Sequence, residues 1–349
     1  MIIRAFLAAG ILAAACLAGS PPATAQPAPT CAPMAGMSMA SATVNVTGSN
    51  ATPGAGGIIY RPEIRQGIID AYNIAPAFFQ RELCGLDGIY VVQAGDPWGF
   101  RNITDGKRYI ALSMQGSWDQ SFAPISFNQY QNRIFGPDGL GWPASDPSPP
   151  TYLPASPNSG TLAVLSALAH EFGHVLYADT VVSPRGTPPQ TSRFCGGILT
   201  DKNENGAKVA FWRDRLQPGI WKHYGDIDPN YAAIPDDPSD PPAQGDPGPA
   251  DASIPNLKQK LSQGDIAQAH RILGRVMAKG RPFPSVFGAF SANEEFVETF
   301  MLYVLMRAQT PLTHMPLRIS STQTVDVPAT LASRHRLSQV LQCFDALTR

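Results

Sequence analysis

The chain has 349 residues, with 26 Lys+Arg against 27 Asp+Glu for a net charge of −1, and only 15 % of it is charged. It has no basic surplus and no Lys/Arg run, so the electrostatic footprint of a nucleic-acid binder is missing and that class of partner is excluded. At 44 % hydrophobic it can build a core, and its 34 prolines and 31 glycines fall in clusters, which predicts one domain with long loops.

The first segment, "MIIRAFLAAGILAAACLAG", has one early arginine and then an apolar run too short to cross a bilayer comfortably. "ATAQ" follows and suits cleavage between Ala25 and Gln26. Residues 1–25 therefore predict a bacterial-type signal peptide, a secreted or periplasmic protein and no stable membrane span in the mature chain. An N-terminal membrane anchor is the alternative use of the same segment, and a lipid-modified Cys16 a third. The mature chain keeps Cys31, Cys84, Cys195 and Cys343, which in an exported protein predict two disulfides without choosing the pairing. Residues 26–56 are Pro/Ala/Ser-rich and are expected to form a flexible linker. Residues 57–349 form the single folded domain.

Within that domain "RPEIRQGIIDAYNIAPAFFQREL" places Ile64, Ile68, Ile69 and Tyr72 at helical spacing behind Pro62. "GIYVVQAG" and "RYIALSM" predict strands, and "SFAPISFNQYQNRIF" a further irregular strand. A Pro/Ser/Asp-rich loop leads to "TLAVLSALAHEFGHVLYAD", a helix that Ser159 or Thr161 can cap. Residues from about 180 to 253 carry too much proline for regular structure and predict an irregular insert. Inside it "DKNENG" resembles the start of a calcium loop, but Trp212 stands at the twelfth position, so an Asx-rich turn is expected. Helices resume with "IPNLKQKLSQ", "DIAQAHRILGRVMAKG", "SANEEFVETFMLYVLMRAQ" and "PATLASRHRLSQVLQCFDALT". Helix, strands, central helix and a helical C-terminal half make an α+β fold with a small mixed or antiparallel sheet.

The chemistry concentrates in "HEFGH". On a helix, positions i and i+4 lie one turn apart and about 40° round, so His170 and His174 present their imidazoles together. Zinc takes nitrogen ligands at about 2.0–2.1 Å and accepts two from one turn. Glu171 is placed to reach a water beside such a metal, and Gly173 leaves room for a second element to approach. A third ligand is required. Thr180 occupies the position of a third histidine in the extended three-histidine pattern, so that class is excluded. The remaining source is "NEEFVETF", where Glu294 and Glu298 share one helix face. Glu294 is the candidate ligand and Glu298 the candidate partner of a histidine's second nitrogen, with Glu295 the competing ligand.

"HEFGH" with a downstream "NEEFVETF" resembles the gluzincin group of zinc metallopeptidases. Asn293, Glu294 and Glu298 match the Asn-Glu and later acidic residue of thermolysin-like members. Glu294, Phe296, Glu298 and Phe300 match the run that carries the third ligand in the peptidase domain of the anthrax lethal factor type. Val297 stands where that family has alanine. The resemblance covers these two short segments. It implies a zincin-like fold, one Zn²⁺ held by His170, His174 and Glu294, water in the fourth place, and Glu171 as general base in peptide-bond hydrolysis. It also implies a tyrosine before the third ligand as oxyanion donor, and here that position is Phe287. Tyr177, Tyr224 and His223 are the candidate replacements, Tyr177 because it lies one turn past His174. Asp179 resembles the family's outer aspartate. A peptide or protein substrate is expected to lie along a sheet edge, placed at "RYIALSM" by the family's layout. The alternative is a catalytically inactive zincin-like protein that binds a partner at the cell envelope.

Overall fold

The structure, a computed structural model, describes residues 44–47, 50–53, 61–92, 98–101, 106–137, 139–177, 201–202, 208–209, 254–277, 284–290, 292–327 and 344. The signal segment, Cys31, Cys195, Cys343, Asp179, His223, Tyr224, the final helix apart from Phe344 and most of the insert lie outside them. The described chain is α+β with small sheets. Inside the stretch expected as a linker, β1 (Val44–Thr47) pairs antiparallel with β2 (Asn50–Pro53). In the insert, β7 (Asp201–Lys202) pairs antiparallel with β8 (Lys208–Val209), while residues 203–207, where the Asx-rich turn is expected, lie outside the described residues.

The first helical run divides in two. Helix α1 (Pro62–Ile74) starts on a proline and stops where Ala75 turns extended ahead of Pro76. Helix α2 (Ala77–Cys84) starts directly after that proline. Tyr72 sends its hydroxyl to within 3.4 Å of the Cys84 sulfur, so the two helices meet across the break.

The main sheet has the order β3 (Gly88–Val92), β5 (Arg108–Ser113), β4 (Trp98–Arg101). Strands β3 and β5 are parallel, and β4 runs antiparallel to β5. Here the structure corrects the sequence reading: "RYIALSM" is the middle strand, with neighbours hydrogen-bonded on both sides, and offers no edge. Ile110 to Ser113 are all buried, as expected of a strand covered on both faces.

A second correction follows β5 and the short helix α3 (Met114–Ser117). "SFNQYQN" forms a helix, α4 (Phe127–Asn132), rather than a strand. Its cause is local. The Gln129 side chain accepts from the Ser126 backbone N–H at 3.0 Å and from the Ser126 hydroxyl at 2.7 Å, which satisfies the helix start. Two residues of the following loop, β6 (Thr151–Tyr152), join a small antiparallel sheet.

Helix α5 (Gly160–Tyr177) carries "HEFGH" and is the centre of the fold. Ser159 caps it, accepting from the Leu162 N–H at 3.1 Å. Residues from Leu162 to Gly173 are all buried, the mark of a helix enclosed all round. The strands β4 and β5 cover one side, α1 and α4 others, and α8 (Ala292–Leu305) packs most extensively of all. Helices α6 (Ile254–Ser262) and α7 (Ile266–Val276) form a pair before it. Strands β9 (Pro316–Arg318) and β10 (Thr324–Asp326) complete the second sheet beside β6. No helix among the described residues is long and apolar enough to cross a membrane.

The far side of the motif helix is anchored by rings. Phe172 meets Phe79 at 5.5 Å and Phe300 at 5.8 Å between centroids. Phe344 closes the cluster against Phe296, Phe300 and Tyr303. Two glycines permit the near contacts. A Cβ on Gly173 would sit 3.1 Å from both Cα and Cγ1 of Val297, so α5 and α8 touch almost backbone to backbone there. A Cβ on Gly99 would collide with the Glu171 carbonyl oxygen, so β4 lies directly on the motif helix. Gly173→Val is expected to force α5 and α8 apart at a cost of about 1–3 kcal/mol, read as a lower urea midpoint with unchanged slope. A midpoint at the wild-type value would show that the close approach is not required.

Candidate metal centre

The α5–α8 contact brings the sequence-predicted residues together. His170 and His174 lie one turn apart with ring centroids at 5.0 Å and planes at 79°. Glu294, in the first turn of α8, faces both: its carboxylate oxygens are 3.6 Å from His170 Nε2 and 3.7 Å from His174 Nε2. One ligand atom from each of the three residues lies within 4.8 Å of the others, so the group could hold a metal ion. A tetrahedral ion with bonds of about 2.0–2.1 Å needs ligand atoms roughly 3.3–3.5 Å apart, and two of the observed separations lie within a few tenths of an ångström of that. The Glu295 side chain lies outside what is described.

Glu298, one turn along α8, is buried and takes the other nitrogen of His170. His170 Nδ1 is 2.6 Å from Glu298 Oε1. A carboxylate there accepts the Nδ1 proton, which fixes the ring and leaves Nε2 with its lone pair toward Glu294 and His174. Glu171 is buried beside the centre, its Oε1 3.9 Å from His170 Nε2. Tyr177 continues the histidine face by one turn, but its ring stands on Phe296 at 5.4 Å, a core residue. Phe287 packs its ring 5.5 Å from that of His170 and 5.4 Å from Phe290, giving the centre an apolar wall.

The charges around His170 are one-sided. Burial pushes its ionisation down, but the hydrogen bond to Glu298 and the charges of Glu171, Glu298 and Glu294 overcome this and push it up to about 10. Glu294 is itself pushed up to about 7, by burial first and by Glu298 as well, with His170 opposing. Three carboxylates in one buried pocket call for positive charge, and a cation at the histidine nitrogens would supply it without a proton.

Two features of the surroundings were not legible in the sequence. The approach of Gly99 to Glu171 had as its only signal a glycine inside a four-residue strand. The hydroxyl-bearing Tyr130 and Tyr152, both within electrostatic reach of the carboxylates, sit far away in sequence and carried no signal at all.

Comparison with protein families, with curated proteins and with solved structures finds no match to this chain, so the site is read from its own geometry.

Glu298→Gln is expected to weaken metal affinity roughly 10–100-fold in competition with a chromophoric chelator, because His170 loses its anchor. Affinity equal to wild type would remove Glu298 from the centre. A raised folded-state ionisation means that the folded chain holds its proton more tightly than the unfolded one. For Glu294 that stability is complete below the ordinary value of 4.5 and is lost as pH rises through about 7. The melting temperature of chelator-treated protein should therefore fall more steeply over this window in wild type than in Glu294→Gln. Parallel curves would contradict it.

Proposed function

We propose that the chain is an exported zinc-dependent metallopeptidase of the gluzincin type, with a zincin-like domain over residues 57–349. The observation that supports this most is the convergence of His170, His174 and Glu294, with Glu171 beside them and Glu298 behind. Two imidazoles and a carboxylate suit zinc, and three protein ligands leave a fourth position open, the arrangement of a catalytic rather than a structural ion. Zinc bound there would acidify water and polarise a carbonyl.

The chain's own residues do the rest. Glu171 is the base: its carboxylate takes the proton from the attacking water and passes it to the leaving amine. Glu298 keeps His170 in one tautomer throughout. Phe287 and Phe290 exclude water from one side of the reacting centre. An extended peptide would add as a strand along β4, the outer strand of the main sheet that lies on the motif helix. The substrate would thus be delivered beside Glu171. Disulfides among Cys31, Cys84, Cys195 and Cys343 would suit an oxidising compartment outside the cytoplasm.

The test is bound zinc by elemental analysis together with cleavage of a mixed peptide library. Wild type should carry one zinc and cleave. Glu171→Gln should keep the zinc and lose roughly 10²–10⁴-fold in rate. Zinc without Glu171-dependent cleavage would leave an inactive zincin-like binder and end the peptidase reading; absence of bound zinc would end both.

A further inference from the structure

Adding water to a peptide carbonyl gathers negative charge on its oxygen, and an enzyme needs a donor fixed beside that oxygen. At this centre Glu171, Glu294 and Glu298 only accept when ionised, the histidine Nε2 atoms converge on Glu294, and Phe287 has no hydroxyl. Tyr152 is fully buried, and its oxygen already accepts from the Val286 N–H at 3.3 Å. Tyr130 is different. It is only partly buried, it packs against the core, and its hydroxyl has no hydrogen-bond partner among the described residues.

Its helix is a fixed platform. The neighbouring Gln131 reaches Ser166 Oγ at 3.5 Å, one turn before His170, and Met301 Sδ at 3.9 Å, three residues after Glu298. Asn132 makes two bonds to the Tyr152 backbone, at 3.0 and 2.6 Å, and the Asn128 N–H donates to Asn158 at 2.9 Å. Helix α4 is thus pinned to both α5 and α8 next to the carboxylates.

We infer that Tyr130 is a further catalytic residue of the proposed peptidase, its phenol donating a hydrogen bond to the carbonyl oxygen as that oxygen becomes negative. This rests on the peptidase reading. As the water oxygen bonds to the carbonyl carbon, the C=O π pair moves onto oxygen and Tyr130 O–H holds it, the phenol keeping its proton. The pair then returns, the C–N bond breaks, and the nitrogen takes the proton carried by Glu171. Burial pushes the Tyr130 phenol's ionisation up, and Glu171, Glu298 and Glu294 push the same way against Arg133, so it stays a neutral donor.

The experiment compares zinc-loaded wild type, Tyr130→Phe, Tyr130→His and Glu171→Gln. The probe is a phosphinic peptide, with –PO₂–CH₂– in place of a peptide bond, built on the library sequence cleaved fastest. Tyr130→Phe should lower kcat about 100-fold with KM, zinc content and melting temperature unchanged. Calorimetry should show the phosphinic peptide bound at least about tenfold more weakly, and the cleavage product bound equally well. Tyr130→His, which returns a donor, should recover part of both losses. Wild-type kcat and phosphinic affinity in Tyr130→Phe would overturn the inference, as would a loss of zinc in that variant. Failure of the peptidase reading shows separately, as no cleavage by wild type or equal cleavage by Glu171→Gln.

Discussion

Everything at the centre depends on how closely two helices can approach. Helix α5 supplies His170, His174 and Glu171, α8 supplies Glu294 and Glu298, and neither set forms the cluster without the other. The distances that matter are a few tenths of an ångström, so the interhelical spacing must be set by something stiffer than a layer of side chains. Gly173 against Val297 does this. With no side chain on Gly173, the motif-helix backbone rests directly on Val297 and that contact sets the separation, and the rings of Phe172, Phe300 and Phe344 hold the helices there from behind. Glycine is a poor helix residue by about 1 kcal/mol, and here that cost is outweighed by the contact it allows.

The second constraint is charge. Burying Glu171, Glu298 and His170 in one pocket, with Glu294 half-buried at its rim, is unfavourable unless the charges meet opposite ones. Among the described residues His170 answers them, holding its proton far above the usual range. The fold therefore keeps an electrostatic tension at this point. The large apolar core around α5 and α8 outweighs it. A cation in such a pocket would relieve that tension, and the histidine lone pairs would decide where it sits.

Metal ligation is a matter of spacing along a helix, so the parts of the site on one turn were legible: His170 with His174, and Glu294 with Glu298. The pairing of the two segments was also legible, because a two-histidine helix without a third ligand is incomplete. What sequence pattern did not carry was order across the sheet. Strand β5 is apolar because it is central, while β4 is only four residues long and has little pattern to show. The apolar spacing around α4 suits a strand, whereas the Ser126–Gln129 bonds decide its helical conformation. The break between α1 and α2 lies at Pro76, where local rules do apply. Tyr130 was out of reach for a different reason: its position depends on tertiary packing of α4, which no stretch of sequence around it records.

Gly99 bears on how the sheet is aligned. In a strand, a shift of one residue reverses which side chains face the core, and short strands have little else to resist it. Here the Glu171 carbonyl occupies the space where any side chain on β4 would begin. Sliding β4 by one residue would bring Trp98 or Phe100 to that point, and neither can fit. A single missing side chain thus works as a stop that allows one alignment of the strand with the motif helix. A chain added along the outer side of β4 would inherit that alignment, so its position relative to Glu171 would be fixed before any of its own side chains were recognised.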